Sequence, residues 1–406
     1  MPRPELEDQR RPTRPVPWRL LVLLAAVVCG GCLPALQLNR TMMAYDALAT
    51  EAICRQLLLN IARARHDEPL HFTALSNIAA TFNLQLNAGA TPPLGATEGG
   101  ANNLSPIFGG SWSDNPTFSI VPVEGEEFTR RLLTPFPEST LTLLLRQGAD
   151  VDLVLRLMAG EFRTDVGSRK VTYANRPGDR DGYTTFRRVV LHLSSIQDRG
   201  ALYAEPLIFQ ESWTVPAGSV TPELLQSLEK QFVVAREPGN NGYRLTKRSI
   251  GRIVVTNYDP EVLTNDERHR LHDEAEHNLD DELVVDIRAG YPGGEFPLHG
   301  KFRLRSFANM IDFLGHALHE APEYDVTPHS KTPLVSENPA FALGVMESAT
   351  RPRGGERAIR YHGLYYALQP DSGYQWNKKA FVLLYQLFQM TVVKPAAGGP
   401  SITIAK

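Results

Sequence analysis

Between residues 42 and 120 the spacing of apolar residues changes from the period of a helix to that of a strand, which limits the chain to folds that mix the two. Ile53, Leu57, Ile61 and Ala64 recur at helical spacing with Cys54, Leu58 and Ala62 beside them, predicting one amphipathic helix over 42–64. The polar run His66-Asp67-Glu68-Pro69 stops it. From Phe82 the period is two, with Phe82, Leu84, Leu86 and Ala88 alternating with Asn83, Gln85 and Asn87. Gly89 to Gly110, rich in Gly, Ala, Pro and Asn, reads as a long loop. Phe108, Trp112, Phe118 and Ile120 then resume a weaker alternation that Asp114, Asn115 and Pro116 interrupt.

Further on, Pro122 to Glu127 opens a helix with acidic residues at its N-terminus, where the helix dipole favours them, and Thr134-Pro135 ends it. A short helix over 138–146 and the apolar segment Val151 to Met158 follow, and then a polar stretch over 163–183. Phe186 to Ile196, Phe307 to Leu318 with Ser306 as N-cap, and Lys378 to about Thr391 read as helices, while 260–278 is a charged helical or loop excursion. Strands are expected at 207–215, 231–235, 243–247, 252–257, 282–287, 341–346 and 358–368, where β-branched and aromatic residues alternate with polar ones. Strands and helices do not interleave regularly, so the expected class is α+β, with a largely antiparallel sheet and packed amphipathic helices. Residues 42–236 form an N-terminal α+β region and 237–395 a C-terminal one, with a tail at 396–406. Arg236 to Asn240 reads either as a boundary or as a hairpin turn.

At the N-terminus Arg10, Arg11, Arg14 and Arg19 precede an apolar run, Leu20 to Val28, that is far shorter than the roughly 20 residues of a spanning helix. Val28-Cys29-Gly30-Gly31-Cys32 ends that run and resembles the lipobox of bacterial lipoproteins. The resemblance implies a signal peptide over 1–31 and acylation of Cys32, because Gly31 supplies the small residue before the cut, whereas Cys29 as acceptor would follow the bulky Val28. Cys29 stands where the family usually has an aliphatic residue. Leu33 follows Cys32 in place of the inner-membrane retention aspartate, so the same resemblance implies an outer-membrane location facing the periplasm, with membrane lipid as the partner of Cys32. The tether over 32–41 reaches at most ~30 Å when extended.

Removing 1–31 would change the formal charge of −3 to −5, since that segment holds five Arg against Glu5, Glu7 and Asp8. A mildly acidic chain without a basic cluster is poorly suited to nucleic acid. Of the three cysteines only Cys54 would then remain unmodified, so burial rather than a disulfide must hold the fold, and Cys54 reads as a core thiol. Leu57 to Arg65, Pro116 to Ile120, Gly125 to Phe128, Leu133 to Pro135, Arg305 to Gly315 and Ile359 to Phe381 make the chain similar to a group of uncharacterised proteobacterial lipoproteins. That likeness implies coherence of the chain and no activity.

No catalytic constellation emerges. His316 and His319 have a spacing that can share a metal but lack the glutamate of a His-Glu-x-x-His helix, and a histidine at a helix C-terminus is favoured by the dipole anyway. His269, His272, Asp273 and His277 lie among so many charges that a solvated face is expected. Asp280, Asp281 and Glu282 define no acid/base pair, and Gly109 to Ser113 lacks the closing glycine of a nucleophile elbow. The sequence therefore implies no cofactor, no metal site and no enzyme. Its first reading is a lipid-anchored envelope protein with a binding or assembly role, whose partners are envelope proteins or further copies of itself. The alternative is an oligomeric outer-membrane pore or export component that inserts a hairpin from residues 82–120, with Phe82, Leu84, Leu86, Phe108, Trp112 and Phe118 as its membrane residues.

Overall fold

Apolar periodicity governs where the helices lie, and the described part of 42–64 is helical throughout. The computed structural model describes residues 42–43, 45–91, 105–237, 239, 242–352, 357–371, 375–392 and 402–405, with side chains from 74 to 121 left undescribed. The signal-like segment 1–31, Cys32 and the tether to residue 41 lie outside the described residues. Two units divide between Cys54 and Arg55. In the first, residues 42–43 and 45–54 are helical and Cys54 is buried.

The second unit begins with α1 (residues 55–64), β1 (Phe72–Thr91), β2 (Ser105–Val123), α2 (Glu126–Leu133), α3 (Glu138–Arg146), α4 (Val151–Met158), β3 (Ala159–Val166) and β4 (Arg169–Ala174). Next come α5 (Arg180–Gln197), β5 (Tyr203–Pro216), α6 (Pro222–Leu228), β6 (Val233–Arg236), β7 (Gly242–Thr256), α7 (Asn265–Glu276), β8 (Glu282–Ile287) and β9 (Leu298–Leu304). The last elements are α8 (Phe307–His316), β10 (Val345–Ser348), β11 (Ile359–Tyr361), β12 (Leu364–Leu368), α9 (Trp376–Thr391) and β13 (Ile402–Ala405). The fold is α+β with a largely antiparallel sheet.

Among the described residues, seven strands form the central sheet in the order β4-β3-β9-β8-β7-β5, with β6 also paired to β7. Only the β7–β8 pairing in it is parallel. Every residue of β8 is buried, as a strand covered on both faces should be. Phe162, Phe186 and Phe302 pack across β3, α5 and β9 with ring centroids 4.8 and 5.8 Å apart. The charged excursion folds as α7, opened by a reciprocal Thr264–Glu267 capping box, and it buries Leu271 and Ala275 against Leu207, Phe209 and Val254. Ser306 caps α8 as expected by accepting from Asn309 N.

Several expected boundaries change. The polar stretch 163–183 holds the end of β3, all of β4 and the start of α5. The ends of β3 and β4 that flank the turn are exposed, and Gly167 (φ 64°) makes the turn between them. The two strands expected at 243–247 and 252–257 are one, β7 (Gly242–Thr256), whose exposed middle obscures its period. The 358–368 segment is a hairpin rather than one strand, because His362 (φ 45°) and Gly363 (φ 81°) turn the chain between β11 and β12. The expected 341–346 strand begins only at Val345, and β9 was not expected at all. The two regions 42–236 and 237–395 both supply strands to the central sheet, and Arg236 of β6 pairs with Tyr243 of β7. The tail expected at 396–406 contains β13, which pairs with β2.

Candidate functional site

β1 and β2 are 20 and 19 residues long, where an ordinary strand has about 5–6, and at ~3.3 Å per residue each runs roughly 65 Å. They pair antiparallel from Phe72↔Val123 to Thr91↔Ser105 with one register shift between Leu75 and Asn77. With β13 they form a sheet distinct from the central one. The expected interruption at Asp114, Asn115 and Pro116 does not occur: these residues pair with Phe82, Thr81 and Ala80 in an unbroken ladder. Pro116 is tolerable because β13 covers the other edge of β2 only over Thr117–Ile120, leaving Pro116 on an edge. The ladder also takes in Gly89–Thr91 and Ser105–Gly110 from the expected loop, and residues 92–104 lie outside the described residues.

The register sorts the hairpin into two chemically different faces, because residues directly opposite in a ladder share a face and neighbours along a strand do not. Ile78↔Phe118, Phe82↔Asp114, Leu84↔Trp112, Leu86↔Gly110 and Ala88↔Phe108 belong to one face. All six residues singled out in the sequence, Phe82, Leu84, Leu86, Phe108, Trp112 and Phe118, are therefore on it. Asn83↔Ser113, Gln85↔Ser111 and Asn87↔Gly109 belong to the other. Asp114 is the single charged residue of both strands, whereas at the chain-wide 21% their length would hold about eight. The second face carries amides, hydroxyls and glycines.

The hairpin's base is anchored by side chains that stand in for a strand. Asn60 of α1 accepts from His71 N at 2.8 Å and donates to His71 O at 2.9 Å. One turn earlier, Gln56 accepts from Thr73 N at 2.9 Å and donates to Thr73 Oγ1 at 2.7 Å. Between these clamps Phe72 is fully buried, with ring centroids 4.7 Å from Phe388, 6.0 Å from Phe128 and 6.2 Å from Phe307. Thus α1, α2, α8 and α9 together fix where the strands start. Sequence reading passed over Gln56 and Asn60; their signal was two amides one turn apart beside the apolar run Leu57-Leu58-Leu59.

A second feature missed from sequence is a buried charge network. Arg156 of α4, with no exposed side chain, donates to Glu323 at 2.9 Å and to the carbonyls of Pro339 and Ala340 at 2.7 Å each. Arg187 of α5, equally buried, donates to Asp152 at 2.7 Å and Asn338 at 3.0 Å. Tyr183 donates to Glu323 at 2.8 Å, and the other Glu323 oxygen accepts from Ala342 N at 2.6 Å. Two cations thus meet two carboxylates and carry no net charge into the core. Burial opposes the charge on Arg156, but Glu323 and Asp152 outweigh it and raise the pKa; burial and the neighbouring Arg156 lower that of Arg187. Apart from Arg156 Nε, Arg187 Nε and Asp152 Oδ2, which have no hydrogen-bond partner, the charged groups are spent on the protein itself, so the arrangement binds the irregular segment from 321 to 342 to α4 and α5.

His299 lies between Asp286, 3.1 Å from Nδ1, and Glu274, 2.8 Å from Nε2, and Asp286 also accepts from Tyr258 at 2.6 Å and Arg288 at 2.7 Å. Hydrogen bonds to Asp286 and Glu274 raise the His299 pKa to about 10 from its ordinary 6.5. Burial would raise that of Asp286, but His299, Tyr258 and Arg288 outweigh it and lower it. The raised histidine contributes stability that is full below about pH 6.5 and lost as pH rises through about 10; the lowered aspartate contributes above its ordinary 3.8 and loses that as pH falls. We expect urea midpoints of the wild type to fall between pH 6 and pH 9.5, with a shallower fall in His299→Gln. Equal slopes would show that the imidazolium carries no part of the change.

The histidine groups picked from sequence do not converge. His269 faces Asp273 at 3.1 Å, His272 stacks on Phe209, and His277 bonds the Asp273 carbonyl. His316 lies 3.6 Å from Glu320 and 3.7 Å from Asp67. Glu282 accepts from Arg163 at 2.9 Å and Lys301 at 2.6 Å, and Asp281 faces Arg303 at 3.4 Å. Among the described residues no group of three His, Cys, Asp or Glu side chains is placed to hold a metal ion, and no helix is long and apolar enough to cross a membrane. No protein-family model matches the chain, and no curated protein or solved structure matches it.

Proposed function

We propose that the protein is a lipid-anchored component of the outer membrane whose copies assemble head to tail and contribute β1 and β2 to one shared β-barrel, forming a pore or export conduit. The observation that carries this reading is the register of the hairpin, which separates an apolar face from an uncharged polar face over a ladder long enough to cross a bilayer. The distal ten residues of each strand, Phe82–Thr91 and Ser105–Asp114, match the 9–11 residues of a tilted membrane strand. Within that span Leu84, Leu86, Trp112 and Phe108 would meet lipid, and Asp114 would lie at the boundary with water, where a carboxylate costs little. The proximal part, from Phe72 to Thr81 and from Asn115 to Val123, would be a stem outside the membrane.

Oligomerisation follows from the edges. Among the described residues β1 pairs only with β2, and β2 is otherwise covered only over Thr117–Ile120. In hydrocarbon each unpaired N–H or C=O costs several kcal/mol, so one hairpin cannot remain inserted alone. Pairing β1 of one copy with β2 of the next satisfies both edges, and a heterologous contact of that kind forms a ring when the rotation between copies closes. The Cys32 acyl chains would hold each subunit at the membrane while the ring forms. The binding or assembly role without insertion is the weaker reading, because outside a membrane the face that holds Leu84, Leu86, Phe108 and Trp112 would need another apolar cover.

Purified full-length protein in detergent should give a ring of several-fold symmetry by electron microscopy and reproducible channels in planar bilayers. A monomer without conductance would replace the pore with the simple binding protein. Cys32→Ser should abolish incorporation of a fatty-acid analogue and shift the protein out of the membrane fraction, since the thioether requires that sulfur. Undiminished labelling of the variant would move the acceptor to Cys29.

A further inference from the structure

The polar face of the hairpin is chemically narrow enough to name what it admits, and this inference rests on the barrel reading above. In the span Phe82–Thr91 and Ser105–Asp114 that face holds Asn83, Gln85, Asn87, Thr91, Ser111 and Ser113, together with glycines, Ser105 and Ile107. None of these residues titrates. We propose that the barrel lumen is charge-indifferent and passes uncharged, hydroxyl-rich solutes, short glycan chains being the class it fits. Amides and hydroxyls both donate and accept, as sugar hydroxyls do, so they exchange hydrogen bonds with such a solute as readily as with water. Rings of charged side chains are what make a side-chain-lined pore select ions by the sign of their charge, and a ring built from this face has none. Nor does the face carry an aromatic residue on which a base or sugar ring would stack and dwell. Because every subunit repeats the same positions, what is absent from one copy is absent from the whole circumference.

The test uses full-length protein in planar bilayers under a tenfold KCl gradient and in liposomes challenged with isosmotic maltotriose. The potassium to chloride permeability ratio should lie within about twofold of one, and the liposomes should swell. Gln85→Lys, a change at mid-height of the polar face, should keep conductance and raise the preference for chloride at least about fivefold, since each copy adds a cation to the same ring. Strong ion selectivity in the wild type, or channels that exclude maltotriose, would overturn the lumen chemistry and leave the pore intact. A conducting Gln85→Lys channel with unchanged selectivity would show that this face does not line the lumen. Absence of any channel would remove the pore reading, and this inference with it.

Discussion

Glu323→Ala is expected to destabilise the fold by about 3–5 kcal/mol, the cost of leaving a buried cation without its anion. Glu323 is the one carboxylate hydrogen-bonded to Arg156, at 2.9 Å, and the substitution also strips partners from Tyr183 and from the backbone of Ala342. Asp152 cannot compensate, because it lies 4.0 Å from Arg156 and is already bonded to Arg187 at 2.7 Å. A loss of that size is a large share of the ~5–15 kcal/mol that holds a typical domain together, so the soluble yield should fall and the segment from 321 to 342 should become sensitive to protease. The paired change Arg156→Met with Glu323→Leu should recover most of the stability, since apolar side chains of similar volume avoid the desolvation of both charges. Urea unfolding of the three proteins checks this. Equal destabilisation by the single and the double change would mean that shape at this position, rather than charge balance, sets the cost.

Leu86→Arg is expected to prevent barrel assembly. Leu86 lies at mid-height of the proposed span, where an arginine on the lipid face costs about 2–4 kcal/mol, and a ring multiplies that cost by its number of subunits. Leu84→Arg should act in the same sense with a smaller effect, being nearer the membrane boundary. The adjacent change Gln85→Arg belongs to the opposite face of the same ladder and should leave the ring intact. Ring yield in detergent after extraction from membranes measures all three. Loss of assembly in Gln85→Arg together with normal assembly in Leu86→Arg would place the wrong face toward lipid. Equal tolerance of both would place the hairpin outside the membrane altogether.

What the sequence disclosed depends on whether a structure is signalled locally. The helix containing Leu57, Leu58 and Ile61 announces itself in the spacing of its own residues, as do α8 and α9, whereas the charged sequence of α7 left helix and loop open. The alternation from Phe82 to Ala88 likewise identified a strand, and the faces on which Phe82, Leu84, Leu86, Phe108, Trp112 and Phe118 lie follow from period two once the register is known. The length of the hairpin was less legible. Asp114 and Pro116 read as breaks because their local chemistry disfavours a strand, and only the ladder with Ala80 and Phe82 overrides that preference. The buried network was hidden for a different reason: Asp152 and Arg156 have the spacing of an ordinary surface pair, one helical turn apart, and their partners Arg187 and Glu323 are far along the chain. β9 could have been found, since Leu298, Gly300, Phe302 and Leu304 alternate with His299, Lys301 and Arg303.

The pairing of β13 with β2 joins residues about 280 positions apart in the chain, so it is among the slowest closures and must wait until the other described elements have been synthesised. Until Ile402–Ala405 have emerged, the edge of β2 over Thr117–Ile120 has no partner from its own chain. β13 therefore acts as a timer, covering the stem of the hairpin only after the other described elements have been made.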